Sequence, residues 1–445
     1  PNKHFGTILY TWDNTYYRDR TDSSAINFTP DWVWHKARNA TNYHFLFDAI
    51  RGATKFLVSN TTGTESTQAD SLSAFITNGF TVSDNTANAD MNSSSHTYVA
   101  WNWNAGDTDG KTYTVKVVSD SGNKYRFDDF GTSAVTLDLA EGGTYVFDWS
   151  DSSAQSHPIR FSTTSDGTHG GGSEYTTGVT KDDGAYKTTI TVAASAPQLF
   201  YYCQNHSGMG GAINTNSTLG SSNFDGSIQS TTKANATAGF SIVTYSGNGS
   251  SNSTIGHGLG VAPKAVIVKR RSGTDNWQVY WIGAGTERNG YLSLTSVFNT
   301  PAQESIWGTN VPTSTKFYLG TDTATNTSGS TYVGYVFSEV AGFSKFGEYT
   351  GNGSSDGTFV YTGFRPAWVM AKEISGFGGN WTIFDSKRST FNVVDEQLIA
   401  NLSNAENDAD TFDFLSNGFK LKLPYGSNQT FIYLAFAESP FKNAR

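Results

Sequence analysis

The sequence contains one cysteine, Cys203, and only 16% of its 445 residues are charged, where about a quarter is usual. A lone cysteine excludes a disulfide framework within the chain, so stability must come from packing or oligomerisation. No apolar run approaches the ~20 residues of a membrane-spanning helix, which argues against membrane insertion. The net charge of −9, with only short basic clusters such as 269–271, argues against a nucleic-acid partner.

Motifs of common enzyme chemistry are missing as well. The sequence has no phosphate-binding Walker loop, no nucleophile elbow, no zinc-protease helix motif and no cysteine pair for zinc. Two pairs of adjacent carboxylates occur, Asp128-Asp129 and Asp182-Asp183, but neighbours on a strand point to opposite faces. They are interpreted as loop surface or as a calcium contact. We therefore expect a protein that binds and is not an enzyme.

What the sequence has in abundance is aromatic and turn-forming residues. Phe, Trp and Tyr make up 14% of the chain, and there are 46 glycines. Many aromatics, many turn formers and little charge are typical of short strands joined by tight turns. The composition predicts an all-β protein built from sandwich-like or jelly-roll-like units.

Three segments share one pattern, in which a proline is followed by Val three residues on and Lys six on. The segments are 29–36, 262–269 and 365–372. A tyrosine precedes each of them at a similar distance. An Asn-Gly-Phe hairpin signal recurs in the first and last copies, and an aromatic alternating stretch closes each copy. We expect three β-repeats at 1–106, 236–342 and 343–445, an inserted domain at 107–213 and a linker at 214–235.

The first and third copies also share Phe-Asp-x-x-Arg, at 47–51 and 384–388, whereas the middle copy lacks the aspartate. An internal salt bridge or turn clamp is the favoured interpretation of this motif. The alternative is a carbohydrate contact shared by the two copies.

The repeats resemble uncharacterised β-domains of structural proteins from marine phages, especially phages of cyanobacteria. The resemblance rests on segments 1–5, 30–36, 47–52, 258–263, 269–277 and 433–438. It implies a virion component, such as a tail fibre, tail tip or head appendage, made in the host cytoplasm. Other virion proteins, further copies of the chain and a host-surface glycan or receptor are the partners it implies. No secretion signal follows Pro1, which also favours a virion over a cell-surface adhesin.

The inserted segment holds the chain's one group of metal-type ligands. His157 lies 46 residues before the motif Cys203-x-x-His206-x-x-Met209. Two imidazoles and a thiolate in one plane, with a weak axial thioether, form the blue-copper ligand set. The spacing therefore predicts a mononuclear copper site at these four residues.

The segment resembles a cupredoxin, a Greek-key β-sandwich that carries such a site. His157 and His206 would be the imidazoles, Cys203 the thiolate and Met209 the axial ligand. The short His206-to-Met209 spacing departs from plastocyanin-type loops and leaves the axial role open. It is similar to the spacing in a binuclear copper centre, but that centre needs a second cysteine. A domain that kept the fold and lost the metal is the alternative, and His169 is not expected to be a ligand.

Two hypotheses of function follow. The first is a virion structural and attachment protein, and the second is a copper protein for electron transfer or metal capture. They are compatible, since a cupredoxin-like domain could decorate a structural scaffold.

Overall fold

The computed structural model describes residues 3–13, 17–83, 91–106, 110–215, 220–283, 285–422, 424 and 427–439. Within these ranges the protein is almost entirely β-structure, as predicted. The helices there are short: η1 (Gly167–Gly170), α1 (Glu304–Trp307) and α2 (Thr323–Asn326). None of these helices has the length and apolar character needed to cross a membrane.

The first repeat packs a six-stranded sheet against a three-stranded sheet. The large sheet has the order β1-β9-β3-β4-β5-β6, and the small one has the order β2-β8-β7. The strands are β1 (Phe5–Thr11), β2 (Arg18–Thr21), β3 (Trp32–Ala37), β4 (Phe45–Asp48), β5 (Lys55–Val58), β6 (Ser66–Thr67), β7 (Leu72–Ile76), β8 (Gly79–Val82) and β9 (Thr97–Trp103).

The inserted domain is a sandwich of a five-stranded sheet, β11-β10-β13-β16-β15, and a four-stranded sheet, β12-β18-β17-β14. Its interior is a separate core that includes Tyr113, Phe147 and Cys203. The strands are β10 (Gly110–Ser119), β11 (Asn123–Phe127), β12 (Leu137–Asp138), β13 (Thr144–Asp148), β14 (Ile159–Ser162), β15 (Val179–Asp182), β16 (Lys187–Thr191), β17 (Leu199–Cys203) and β18 (Gly211–Asn214).

The second repeat has a seven-stranded sheet, β19-β20-β21-β27-β23-β24-β25, and a two-stranded sheet, β22-β26. Helices α1 and α2 belong to this repeat. The strands are β19 (Ser221–Asn223), β20 (Ser230–Asn235), β21 (Phe240–Ser246), β22 (Ser253–Gly256), β23 (Ala265–Arg270), β24 (Gln278–Trp281), β25 (Arg288–Tyr291), β26 (Lys316–Leu319) and β27 (Thr331–Phe337).

The third repeat is a single, nearly closed sheet of eight strands in the order β28-β35-β30-β31-β32-β33-β34-β29. The strands are β28 (Ser344–Thr350), β29 (Phe359–Tyr361), β30 (Pro366–Glu373), β31 (Trp381–Asp385), β32 (Val394–Ile399), β33 (Asn407–Leu415), β34 (Gly418–Leu421) and β35 (Thr430–Ala437).

The prediction that residues 214–235 form a linker is wrong. Residues Ser221–Asn223 form β19 and Ser230–Asn235 form β20, which pairs with β21 of the second repeat. Phe224, between these strands, packs into the core of the inserted domain. The Ser, Thr and Asn side chains of the segment give no apolar alternation, so the strands left no periodic signal in the sequence.

The three segments that share the repeat pattern occupy equivalent positions in their sheets. The three Pro-x-x-Val segments form β3, β23 and β30, and each pairs with the aromatic closing strand of its own repeat, β9, β27 or β35. Each leading tyrosine stacks on the second residue of that closing strand, with ring centroids 4.9 to 5.1 Å apart. The stacked pairs are Tyr10 with Tyr98, Tyr245 with Tyr332, and Tyr349 with Phe431.

All three large sheets bury one face in a common central core. This core includes Trp32 and Trp101 of the first repeat, Trp277 of the second, and Trp368 and Trp381 of the third. Each repeat also has a smaller core of its own beneath the other face of the sheet. Because aromatic burial dominates such cores, the repeats form one body around a shared interior.

The repeats contact one another in cyclic order. In each repeat, the residue at or just before the start of β4, β24 or β31 contacts the carbonyl at the end of β32, β5 or β25 of another repeat. In two cases an indole N–H donates to a backbone carbonyl, at 2.9 and 2.8 Å. In the third case a histidine ring lies beside the equivalent carbonyl. The pairs are Trp277 with Val58, Trp381 with Tyr291, and His44 with Ile399. The chain thus has a threefold pseudo-symmetry within one polypeptide.

The Asp-x-x-Arg motif forms a buried ion pair in both copies, between Asp48 and Arg51 and between Asp385 and Arg388. These four side chains are 0% exposed. The salt-bridge interpretation is therefore confirmed, and the motif offers no accessible surface to a carbohydrate.

Each buried aspartate also receives a hydrogen bond from another repeat. Tyr335 of the second repeat donates to Asp48 at 2.8 Å, and Trp101 of the first donates to Asp385 at 2.9 Å. At the remaining junction the equivalent residues are Trp281 and Leu434, which both lie in the central core. The middle repeat thus has Trp281 in place of an aspartate, and the residue equivalent to Tyr335 and Trp101 at this junction is the apolar Leu434.

Candidate metal centre

Three of the four predicted ligands, His157, Cys203 and His206, meet at one end of the inserted sandwich. Cys203 is the last residue of β17 and lies opposite Ile159 at the start of the neighbouring antiparallel strand β14. His157 stands two residues before Ile159, in the turn that leads into β14. His206 follows Cys203 in the loop between β17 and β18. Strand pairing therefore brings residues distant in sequence to one strand end.

The three donor atoms form a compact triangle. Cys203 Sγ lies 3.7 Å from His157 Nδ1 and 3.7 Å from His206 Nδ1. The donor atoms of all three residues lie within 4.8 Å of one another. Bonds of about 2.0 Å to nitrogen and about 2.3 Å to sulfur, 120° apart, would separate nitrogen from sulfur by about 3.7 Å. Both nitrogen–sulfur distances therefore match those expected for a trigonal metal site.

The site is buried on one side and reaches solvent on the other. Cys203 is fully buried, His157 is 8% exposed, and His206 is exposed. The imidazole rings of the two histidines are 4.6 Å apart between centroids. Burial, and to a lesser extent the nearby His206, lowers the pKa of His157. A neutral imidazole is the form that binds metal, so this environment favours a ligand role.

A shell of hydrogen bonds fixes the two ligand-bearing loops. The Asn205 side chain donates to the Ser156 carbonyl at 3.0 Å and so joins the residues next to His206 and His157. The Tyr125 hydroxyl donates to the His157 carbonyl at 2.7 Å. Partners of this kind orient metal ligands in proteins. These supporting residues share no regular spacing with the ligands, so no sequence motif marks them.

Tyr125 is also close to the cysteine. Burial, followed by the charge of Cys203 and a hydrogen bond to it, raises the pKa of Tyr125 well above its usual value. A phenol that keeps its proton at neutral pH can donate a hydrogen bond but adds no charge. Tyr125 therefore makes the cysteine's surroundings polar without bringing a second anion to the site.

Met209 is 1% exposed and belongs to the same core as Cys203. The loop that carries it needs glycine for a physical reason. A Cβ at Gly210 would stand 1.7 Å from the Tyr201 carbonyl oxygen, where the chain turns back into β18. The glycines after Met209 are thus explained by close backbone packing and are not by themselves a sign of a lost site.

His169 lies outside the donor triangle. Its Nε2 is 3.0 Å from the Cys203 carbonyl, so it contacts the backbone of the ligand strand. The adjacent carboxylates are engaged in ion pairs: Asp129 with Lys116 at 2.6 Å, and Asp183 with Arg160 at 2.7 Å. These pairs support the surface interpretation of the carboxylates over calcium binding.

The fold and the donor cluster define an all-β repeat protein with a metal-type site in an inserted domain. The chain belongs to the family described as Domain of unknown function (DUF7483), whose model matches residues 1–137 and 213–440. The internal stretch outside this match, 138–212, contains all the candidate copper ligands. Comparisons with curated proteins and with solved structures find no match.

Proposed function

We propose that the inserted domain binds one copper ion through His157, Cys203 and His206, with Met209 as the axial ligand. The observation that supports this most strongly is the donor triangle, in which both nitrogens lie 3.7 Å from the sulfur. A buried thiolate beside two imidazoles is a soft and borderline donor set that suits copper. Zinc favours four strong ligands in a tetrahedron, and the triangle supplies three.

Bound copper would supply one-electron chemistry or a stable metal store. The burial of the ligands determines which side of the site solvent and a partner can reach. Cys203 is fully buried and His206 is exposed, so the imidazole of His206 is the edge of the site that solvent and a partner can reach. The surrounding hydrogen bonds hold the loops in place, so metal binding requires little rearrangement of the donors.

Titration of the full-length apo-protein with Cu²⁺ tests the proposal. We expect an intense visible charge-transfer band from a copper–thiolate bond that saturates at one equivalent. Cys203→Ser should abolish the band. His169→Ala is the matched control, since this imidazole touches the Cys203 carbonyl but not the triangle, and it should leave the band intact. No band in the unsubstituted protein, or a band that survives Cys203→Ser, would overturn the proposal.

The three repeats support a second proposal, that the protein is a non-catalytic structural component of a virion. The shared tryptophan-rich core makes the repeats one rigid body, which suits a scaffold. The resemblance to phage structural proteins supports a position in a virion, where the scaffold would contact other virion proteins or further copies of itself. A density map of intact particles tests this: density that fits the three-repeat body supports it, and absence of the chain from purified particles contradicts it.

A further inference from the structure

A cavity of about 210 Å³ lies inside the nearly closed sheet of the third repeat. Residues from seven of its eight strands line the cavity, together with the loop before β31. Gly379 and Asn380 in that loop are partly exposed, so the cavity is open to solvent there. The mouth of a barrel-like sheet is a common position for a small-ligand site.

The walls combine aromatic rings with polar groups. Tyr349, Phe412 and Phe431 supply apolar surface, and Glu373, Gln397 and Thr411 supply hydrogen-bonding groups. The Tyr349 and Phe431 rings stack at 5.0 Å with an angle of 4° between their planes. Flat aromatic surface with a few polar groups is the usual composition of a small-molecule pocket.

Two polar atoms of the lining have no hydrogen-bond partner among the residues that the structure describes. They are Thr411 Oγ1 and Glu373 Oε1, and both atoms are shielded from solvent. Thr411 as a whole is only 4% exposed. A buried polar atom without a partner costs about 1 to 3 kcal/mol, so these atoms favour a ligand that bonds to them.

The first repeat shows that the fold does not require this cavity. Strand pairing makes Thr382 and Gln397 of the third repeat equivalent to Phe45 and Phe56 of the first. Those two phenylalanines are buried and pack edge to face, with centroids 5.2 Å apart. The third repeat has smaller or polar side chains where the first has a filled core.

The size and chemistry of the cavity narrow the class of ligand. A volume of 210 Å³ is that of about seven water molecules and is below the range for drug-sized ligands. The polar lining includes an acceptor, the Glu373 carboxylate, as well as the amide and hydroxyl donors of Asn380, Gln397 and Thr411. An ammonium ion would use only the acceptors, and an anion would meet the carboxylate.

We propose that this cavity binds one neutral sugar residue, with its C–H face on the aromatic wall and its hydroxyls on Glu373, Gln397 and Thr411. Burial raises the pKa of Glu373, which agrees with an uncharged ligand. The site lies outside the inserted domain, so the proposal does not depend on copper binding.

Saturation-transfer NMR on the full-length protein tests the proposal, with a panel of neutral hexoses and N-acetylhexosamines and with choline as a cationic probe. A ligand of about a dozen heavy atoms at about 0.3 kcal/mol per atom gives a dissociation constant on the order of 1 mM. We expect signal from at least one sugar and none from choline. Signal from choline alone, or from no probe, would overturn the proposal.

Variants of the lining residues test whether the NMR signal of the sugar comes from binding in this cavity. Thr382→Phe combined with Gln397→Phe restores the filled core of the first repeat and should abolish the sugar signal. Thr411→Val, which nearly keeps the shape, should weaken it at least tenfold and serves if the double variant does not fold. Lys420→Gln, on the outer face of β34, is the control and should bind as the unsubstituted protein does. Undiminished binding by a folded filled-cavity variant, or by Thr411→Val, would contradict the assignment.

Discussion

Tyr335 of the second repeat donates its hydroxyl to Asp48 of the first at 2.8 Å, inside the central core. Its oxygen also lies 3.1 Å from Arg51 Nη2, so the phenol joins a buried ion pair to a different repeat. Two of the three junctions between repeats have such a link, and the third is apolar.

Tyr335→Phe removes the hydroxyl that joins the first two repeats and leaves the ring in place. The buried Asp48 then loses one hydrogen bond, and we expect the free energy of unfolding to fall by about 1 to 3 kcal/mol. Urea denaturation of the full-length protein measures this change. Tyr361→Phe is the control, because that tyrosine is 64% exposed, and it should change nothing. Equal stability of the two variants would contradict a role for the buried link.

Leu434→Ala tests the apolar junction between the second and third repeats. Leu434 is 3% exposed in the shared core. Truncation should leave a cavity and lower the free energy of unfolding by about 2 to 5 kcal/mol. The same denaturation experiment measures it, with the half-exposed Leu294→Ala as the control for an equal change of side chain. A loss below about 1 kcal/mol would mean that this junction closes around the gap or contributes little.

The buried lysines of the repeats predict a rise in stability with pH. Burial lowers the pKa of Lys269 and of Lys372 to about 8. Between pH 8 and the ordinary value of about 10.4, the unfolded chain holds protons that the folded chain has released. The free energy of unfolding should therefore rise in this range, by up to about 1.4 kcal/mol per pH unit for each lysine.

Denaturation at pH 7.5, 8.5 and 9.5 measures this slope below the range in which tyrosines ionise. The variants Lys269→Met and Lys372→Met should each reduce the slope. If either variant keeps the full slope, the lysine that it replaces is not the group that titrates.

The lowered pKa of the buried His44 should make the protein less stable in acid. Burial, followed by the positive charge of Lys36, holds the pKa of His44 well below its usual value. Its Nδ1 accepts a hydrogen bond from Trp34 Nε1 at 3.0 Å, which also opposes protonation there. Below about pH 6.5 the unfolded chain takes up a proton that the folded chain does not, so the free energy of unfolding falls. His44→Gln should reduce the difference in stability between pH 7.5 and pH 5, and parallel pH profiles would contradict this role.

Much of the fold could be predicted from the sequence, because the repeats carry strong local signals. A proline before an apolar strand, Asn-Gly before Phe and an alternating aromatic stretch each indicate a strand or turn from neighbouring residues alone. The candidate metal ligands could be proposed from the sequence for a similar reason, since three of the four lie within seven consecutive residues, 203–209.

The shared core could not be predicted, because it depends on contacts between residues far apart in the chain. The sequence shows that the middle repeat has Trp281 where the other two have an aspartate. It does not show that the apolar Leu434 of another repeat lies in the same core. The strands β19 and β20 were missed because their polar side chains give no alternation. The cavity of the third repeat could not be predicted either, because only the strand register shows that Gln397 is equivalent to Phe56 of the first repeat.

Copper K-edge X-ray absorption of the copper-loaded protein tests the central claim most directly, since it counts the ligand atoms around the metal. We expect one short sulfur bond, from Cys203, at about 2.3 Å and two imidazole nitrogens at about 2.0 Å. Cys203→Ser should remove the sulfur signal and leave the nitrogens. Copper surrounded only by nitrogen and oxygen in the unsubstituted protein would contradict the assignment of Cys203, His157 and His206 as the metal centre.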